Sequence, residues 1–281
     1  MHTQLQVVCS SVGEFQLGPK ARAAGFRLTS FDSVGSTNNE AATAAAQGDP
    51  GNIWFAALQQ TAGRGRRGRK WESPYGNLAA SLLLRPTAEP TVIASLGFVA
   101  GVALYQALSD LFRIADSDEK SASTAARIAL KWPNDVLADD AKLAGILLEA
   151  QTSSGGGQVI TIGIGVNIVS APVGLPYPTT STSLLGQQVD AATVFELLAE
   201  YWVDVYALWN NGAGIADVLA IWRQSAAGIG EAVAINVDGK IVQGIFDTID
   251  DTGRLIVKTD DGQLIPIAAG DVHFGTTASI K

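Results

Sequence analysis

Cysteine and histidine are nearly missing from this chain: among 281 residues there is one cysteine, Cys9, and two histidines, His2 and His273. A single cysteine cannot close an internal disulfide, which favours a reducing compartment such as the cytoplasm. Two histidines at opposite ends leave almost no material for a zinc site or a histidine-based nucleophilic triad. Charge is scarce as well. Charged residues make up 16% of the chain and apolar ones 47%, enough apolar material to bury a core and too little charge for disorder. What charge there is leans one way, to a net −8 and a pI near 4.7, which argues against life on nucleic acid or an anionic membrane. No basic region followed by an apolar run opens the sequence, so no signal peptide is read. The longest apolar stretch, Ile93 to Leu108, is broken by Ser95, Gly97, Gly101 and Gln106 and falls short of the roughly 18 residues a bilayer needs. It reads as a buried helix of a soluble, cytoplasmic protein.

What is present suggests one domain of roughly 200 residues with a small appendage. Residues 1–26 show no sustained helical period and are too few for a three-helix DNA-binding unit. Strands are expected over Phe26–Phe31, Ile53–Leu58, Leu78–Leu84, Arg127–Trp132 and Gln158–Ile168, the last with Ile160, Ile162 and Ile164 on one face. Ser36 suits a helix N-cap, with Glu40 in the first turn and Gly48 as the stop. Helical periods run over Thr91–Phe112, 191–210 and 214–226, and the aromatics Phe195, Tyr201, Trp202, Tyr206, Trp209 and Trp222 read as core. Asp139-Asp140 suits a hairpin turn; Asp116–Ala125 and 171–178 suit loops, and Gly155–Gly157 a turn. From Glu231 to Phe274 short β-rich runs alternate with Asp238-Gly239, Asp251-Thr252-Gly253 and Asp261-Gly262, which marks a small all-β unit. The expected layout is an extension over 1–26, an α+β domain over 27–226, and a small C-terminal β-barrel over 227–281.

The sharpest segment is Gly63-Arg64-Gly65-Arg66-Arg67-Gly68-Arg69-Lys70-Trp71, which gathers five of the nineteen cationic residues into seven positions. Its glycines fit G-x-G-x-x-G, yet a dinucleotide site needs a helix to start here, and Pro74 and turn residues follow instead. A P-loop fails because Arg69 and Lys70 stand where a Lys-Ser/Thr pair is needed. A nucleic-acid patch would be accompanied by more than one aromatic. A plain solvated charge run does not explain the interleaved glycines. Glycines between arginines suit an anion-binding loop that orders around phosphate or carboxylate.

Two further segments are ambiguous by themselves. Lys131-Trp132-Pro133-Asn134-Asp135 is followed by Lys142-Leu143-Ala144-Gly145, and a lysine opening a buried strand must find an anion or snorkel out. Gly163-Ile164-Gly165-Val166-Asn167 puts glycines inside a strand, which marks a bulge, crowded packing, or the close approach of a ligand or backbone. Ser36-Thr37-Asn38 needs no more than helix capping.

Taken together and in this order, Ser36-Thr37-Asn38, Gln60, Gly63–Trp71, Lys131–Asp135, Lys142–Gly145, Gly163–Asn167 and the terminal β-rich unit resemble the biotin–protein ligase family, from about residue 31 to 275. The resemblance implies a mixed sheet flanked by helices, as in class II aminoacyl-tRNA synthetases, with a small SH3-like barrel at the C-terminus. It implies that Ser36, Thr37, Asn38 and Gln60 hold biotin, and that Arg64, Gly65 and Arg66 close over biotin and the adenylate phosphate. Lys142 would meet the biotin carboxylate and α-phosphate, while Trp71 and Asn134 would serve the adenine or phosphate side. Gly145 and Asn167 fall in the matching binding segments, and Asp135 would assist Mg²⁺ or the second step. ATP and Mg²⁺ are the implied cofactors, a biotin carboxyl carrier protein the partner, and a homodimer is compatible with it. The short N-terminus implies the form without a DNA-binding domain, hence no DNA partner; the acidic balance and the interrupted apolar stretch imply no membrane. The nearest rival is a lipoate or octanoate ligase of the same fold, whose family lacks the arginine-glycine string; a nucleic-acid module built on residues 63–70 is the rival of another class.

Overall fold

The computed structural model describes residues 14–115, 126–152, 157–237 and 240–274. The Asp116–Ala125 loop, the Asp238-Gly239 turn and most of the Gly155–Gly157 turn lie outside the described residues. Along the chain run α1 (Pro19–Ala23), β1 (Arg27–Phe31), α2 (Thr37–Ala46), β2 (Ile53–Ala57), β3 (Leu78–Leu84), α3 (Pro90–Ile93), α4 (Leu96–Ala115), β4 (Ile128–Lys131), β5 (Asp135–Ala138), β6 (Ala141–Thr152), β7 (Gln158–Val166), α5 (Ala191–Trp209), α6 (Ile215–Gln224) and β8 (Ala232–Val237). Then come β9 (Lys240–Ile249), β10 (Leu255–Lys258), β11 (Leu264–Ile267) and β12 (Asp271–Phe274). Two sheets form: seven strands in the order β1-β2-β3-β7-β6-β5-β4, and five in the order β11-β10-β9-β8-β12. In the first, only β1 and β2 are parallel, so the sheet is mixed as expected.

Alternation along β3 and β7 decides which face does what. Leu78, Ala80, Leu82 and Leu84 share the main core with Ile160, Ile162, Ile164 and Val166. On that face lie α4 and α5, with α4 burying Leu96, Ala100, Ala103, Leu104, Ala107, Leu108 and Leu111 at helical spacing. The α5 aromatics form part of the core, Phe195 and Trp202 meeting Trp54 edge-on at 5.7 and 6.1 Å. Each fully buried side chain of this size stabilises the fold by roughly 1.5–3 kcal/mol. The opposite face is covered by α2 only at one end, where Ala41 packs on Ile53, Phe55 and Leu83. α2 also reaches β7, where Asn38 meets Gly163, but among the described residues no helix covers β6 and β5 on this face, and a hollow remains.

The structure departs from the sequence reading in four places. First, Thr91–Phe112 splits at Ala94–Ser95, because the Ser95 hydroxyl bonds Val92 O at 2.5 Å and receives Trp209 Nε1 at 2.7 Å. Second, Pro90–Arg113 is long and apolar enough by itself to cross a bilayer, so the length argument above does not hold. What keeps α4 in the core is its packing between β4–β6 and the helices α5 and α6. Third, residues 14–26 join the core: Phe15, Leu17, Ala21 and Phe26 are buried, and the Glu200 carboxylate takes the Ala21 N–H at 2.8 Å at the start of α1.

The fourth concerns the barrel, which is not closed by hydrogen bonds: β11 and β12 are the sheet edges and do not pair among the described residues. Three residues join them, a reach of about 15 Å at most. The edges of a flat five-stranded sheet stand about 19 Å apart, so this one must curl towards a barrel. Its inner residues, among them Val233, Ile235, Phe246 and Leu255, continue the main core rather than forming a separate one. Trp132 Nε1 donates to Gly253 O at 3.0 Å and Arg223 Nε to Ile249 O at 2.9 Å across that junction.

Candidate active site

The hollow has its cause in strand register. Gly165 of β7 stands opposite Gly145 of β6 and Ala79 of β3, and Gly163 stands opposite Ser81 and Leu147. Small residues in adjacent rows leave the floor bare, and neighbouring side chains settle onto it. A Cβ on Gly163 would lie 2.4 Å from Asn38 Oδ1, and one on Gly165 2.4 Å from the Trp71 indole. At Gly145 the Trp71 ring is 3.2 Å and Lys142 Cε 3.4 Å from such a Cβ. The strand glycines therefore admit protein side chains, the crowded packing that was one of the readings open from sequence.

Above this floor opens a cavity of about 620 Å³, within the range of small-molecule sites. Of the residues singled out from sequence, Ser36, Thr37, Asn38, Gln60, Arg64, Gly65, Arg66, Trp71, Asn134, Asp135, Lys142 and Gly145 all line it. Asn167 does not. It is buried, donates its Nδ2–H to Thr180 O at 3.0 Å and receives the Thr182 N–H at 3.1 Å, so it braces the segment after β7.

One wall is a polar chain at the start of α2. Ser36 occupies the N-cap position as expected, but its side chain makes no capping bond. Gln60 Oε1 accepts from both the backbone N–H and the hydroxyl of Thr37, at 2.8 and 3.0 Å. Ser81 Oγ lies 2.7 Å from Thr37 Oγ1 and 2.5 Å from Asn38 Oδ1, and Asn38 Nδ2 donates to Glu149 at 2.6 Å. Burial with every partner assigned is what holds an amide in a single orientation. Ser81 and Glu149 escaped the sequence reading, since a serine inside an apolar run and a glutamate late in a strand carry no local signal.

Lys142 forms the opposite wall. Its register with β5 is displaced by a bulge next to Leu143, a device that re-aims a side chain. The backbone is pinned by Lys142 N–H to Pro178 O at 2.9 Å and Thr180 N–H to Lys142 O at 3.0 Å. Nζ sits 2.8 Å from Asp135 Oδ1, 5.6 Å from the Trp71 ring centroid and 5.7 Å from that of Tyr177. The ammonium is thus aimed into the cavity by an ion pair and two aromatic faces. Tyr177 is a further lining residue that sequence reasoning passed over, hidden in a proline-rich loop.

The arginine-glycine loop covers the third side. Only a single 3-10 turn, Arg66–Gly68, forms there and no α-helix starts; Gly65 N–H donates to Arg69 O at 2.7 Å and Trp71 N–H to Gly63 O at 3.0 Å, pinching the segment into a tongue. Arg67 at its tip has φ 55°, and Gly68 follows at 71°. Arg66 Nη1 donates to Asn134 Oδ1 at 3.0 Å, and Asn134 Nδ2 to Ile146 O at 2.6 Å, so the tongue is anchored to β6. From the second sheet Asn236, Gly270 and Val272 reach the rim. Six cationic side chains line the cavity, Arg64, Arg66, Arg69, Lys70, Lys131 and Lys142, against two acidic ones, Asp135 and Asp140. In a chain of net charge −8 this is a local field made for an anion.

Asp135 does not stand in a metal cluster. Its carboxylate is taken by Lys142, and no group of three or more metal-ligating residues occurs among the described residues.

Known proteins resemble the chain throughout. Residues 32–167 match the biotin/lipoate A/B protein ligase family and residues 228–275 the biotin protein ligase C-terminal domain. A biotin–[acetyl-CoA-carboxylase] ligase of Paracoccus denitrificans is 39% identical over 249 residues, 85% of this chain and 97% of that protein. The bifunctional ligase/repressor BirA of Bacillus subtilis is 29% identical over 275 residues, 94% of this chain and 79% of the other. Among solved structures, the biotin protein ligase of Aquifex aeolicus in complex with biotin and ATP superposes with a TM-score of 0.72 at 23% identity, covering 89% of this chain and 99% of that one. The glycine floor, the arginine-glycine tongue, Lys142 and the C-terminal sheet thus all lie within segments shared with these proteins, and the chain belongs to the biotin/lipoate A/B protein ligase family.

Proposed function

We propose that the chain is an ATP-dependent biotin–protein ligase, which forms biotinyl-5′-AMP and then transfers biotin to a lysine of a biotin carboxyl carrier domain. The observation that carries this reading is the cationic cavity facing Lys142, in a site without a histidine or cysteine nucleophile among its lining residues. In the first step the biotin carboxylate attacks the α-phosphorus of ATP and pyrophosphate leaves. The barrier is the approach of an anion to a polyanion. One cation about 4 Å from an anion contributes roughly 4 kcal/mol at an effective dielectric near 20. Lys142, with Arg64 and Arg66, supplies that neutralisation in fixed positions.

Ser36, Thr37, Asn38 and Gln60 hold the polar ring of biotin in this reading, and Gly145 keeps the floor open beneath it. Trp71 and Asn134 serve the adenylate side, with Gly65 letting the tongue's backbone approach the phosphate. In the second step the carrier lysine attacks the mixed anhydride as a neutral amine, and AMP departs. A tongue closed over the anhydride keeps water out until then. Mg²⁺ would arrive with the triphosphate, held by phosphate oxygens and water rather than by a protein cage. Residues 27–226 carry the chemistry in this proposal, residues 227–281 form the small C-terminal unit, and neither DNA nor a membrane takes part. A homodimer is compatible with it, and the cytoplasm is its expected home.

Purified protein incubated with ATP, Mg²⁺ and a carrier domain tests the proposal by mass spectrometry. Addition of biotin to the carrier lysine is expected; addition of lipoate in preference to biotin would transfer the assignment to the lipoate ligases.

A further inference from the structure

Glu149 lies on β6 opposite Thr161, two residues beyond Leu147 and so on the same face of the sheet as the glycine floor. It is not among the residues lining the cavity. Its two carboxylate oxygens nevertheless go to two different walls. One accepts Asn38 Nδ2 at 2.6 Å, and the other lies 3.9 Å from Arg64 Nη2 on the tongue. The Asn38 bond is short, charge-assisted and made to a buried amide. The Arg64 pair is longer and sits at partly exposed positions, with 44% and 35% of the two side chains accessible.

We propose that Glu149 is a positioning residue that couples the α2 wall of the site to the arginine-glycine tongue. Through Asn38 it fixes the orientation of the amide, whose Oδ1 is already taken by Ser81. Through Arg64 it draws the tongue over the same end of the cavity. The inference rests on the assignment of the cavity to biotin and its adenylate. The two bonds differ in strength and screening, so they separate experimentally.

Glu149→Gln keeps an acceptor for Asn38 and removes the charge facing Arg64. It is expected to weaken biotin binding only about twofold, through the lost charge on the Asn38 bond, while biotinyl-AMP leaves about three- to fivefold faster, the most an ion pair this exposed supports. That difference is expected to shrink as salt is raised, because a partly exposed pair is screened. Glu149→Ala removes both bonds and is expected to weaken biotin binding about tenfold. In an Arg64→Gln background Glu149→Gln is expected to add little to adenylate release, the signature of a shared interaction.

The experiment measures biotin affinity by calorimetry and adenylate release by stopped flow, with thermal unfolding of each variant alongside. Wild-type protein that fails to form the adenylate removes the ligase reading and this inference with it. Wild-type protein that forms it normally, with Glu149→Gln releasing adenylate at the wild-type rate or showing a salt-independent effect, removes the inference alone. Equal loss of biotin affinity in Glu149→Gln and Glu149→Ala also overturns it, as does full additivity with Arg64→Gln.

Discussion

The two faces of the seven-stranded sheet are built from the same strands and have almost nothing else in common. On one face Leu82, Ile162 and Ile164 pack with α4 and α5 in a closed apolar layer. On the other, Ser81, Gly163, Gly165 and Gly145 leave a floor on which Asn38, Trp71 and Lys142 rest. Alternation with period two lets one β-strand, β7, serve both ends: Ile160, Ile162 and Ile164 stabilise, while Gly163 and Gly165 make room. Stability and binding should therefore respond to different residues one position apart in sequence.

The largest effect expected on the binding face is that of Lys142→Ala. Adenylate formation should fall by about 100-fold or more, the scale for removing a preorganised cation from developing charge. The melting temperature should change little, and pyrophosphate release near the wild-type rate would remove Lys142 from the chemistry. Next comes the core face. Ile162→Ala should destabilise the fold by about 2–5 kcal/mol in denaturant titration while biotin affinity, measured well below the melting point, stays the same. Gly163→Ala should do the reverse, weakening biotin about tenfold by displacing Asn38, with a smaller loss of stability. A shift of both quantities by Ile162→Ala would break the separation of the faces.

Arg66→Gly cuts the tongue's anchor to Asn134 and should speed loss of biotinyl-AMP about fivefold. Unchanged dissociation kinetics would mean that the tongue is held by its own backbone. The smallest effect lies in the turn between β9 and β10. Burial works against ionisation of Asp250, but hydrogen bonds from Thr252 and Arg254 outweigh it and bring the carboxyl down to about 2 from 3.8. A folded pKa below the unfolded one adds stability that is fully present above about pH 4 and is lost as pH falls towards 2. Asp250→Asn should thus lower stability by about 1 kcal/mol at neutral pH, with the difference from wild type disappearing in acid. A difference that persists at pH 2 would assign the effect to turn geometry instead.

Much of this was legible from sequence where the signal is local. The Ile160–Ile164 alternation placed β7 and its faces, and the Asp139-Asp140 hairpin is realised with both residues at positive φ, 46° and 63°. The arginine-glycine string and Lys142 line one cavity; the string was singled out by its own pattern, whereas Lys142 was ambiguous alone and stood out only through the family resemblance. The illegible part depends on tertiary contact. Ser81 sits in the run Leu78–Leu84, where nothing nearby shows that it will meet Thr37 and Asn38. Glu149 gains its role from two residues distant in sequence, and the Asn167 amide Nδ2 bonds Thr180, a partner distant in the strand's own pattern. The Pro19–Ala23 helix was missed because five residues are too few to show a period.

The most direct test is biotin-dependent exchange of labelled pyrophosphate into ATP, run side by side on wild type, Gly163→Ala and Ile162→Ala. The account predicts exchange with biotin and not with lipoate, an approximately tenfold higher biotin requirement for Gly163→Ala, and an unchanged requirement for Ile162→Ala. No biotin-dependent exchange by the wild type, or an equal shift in both variants, would contradict it.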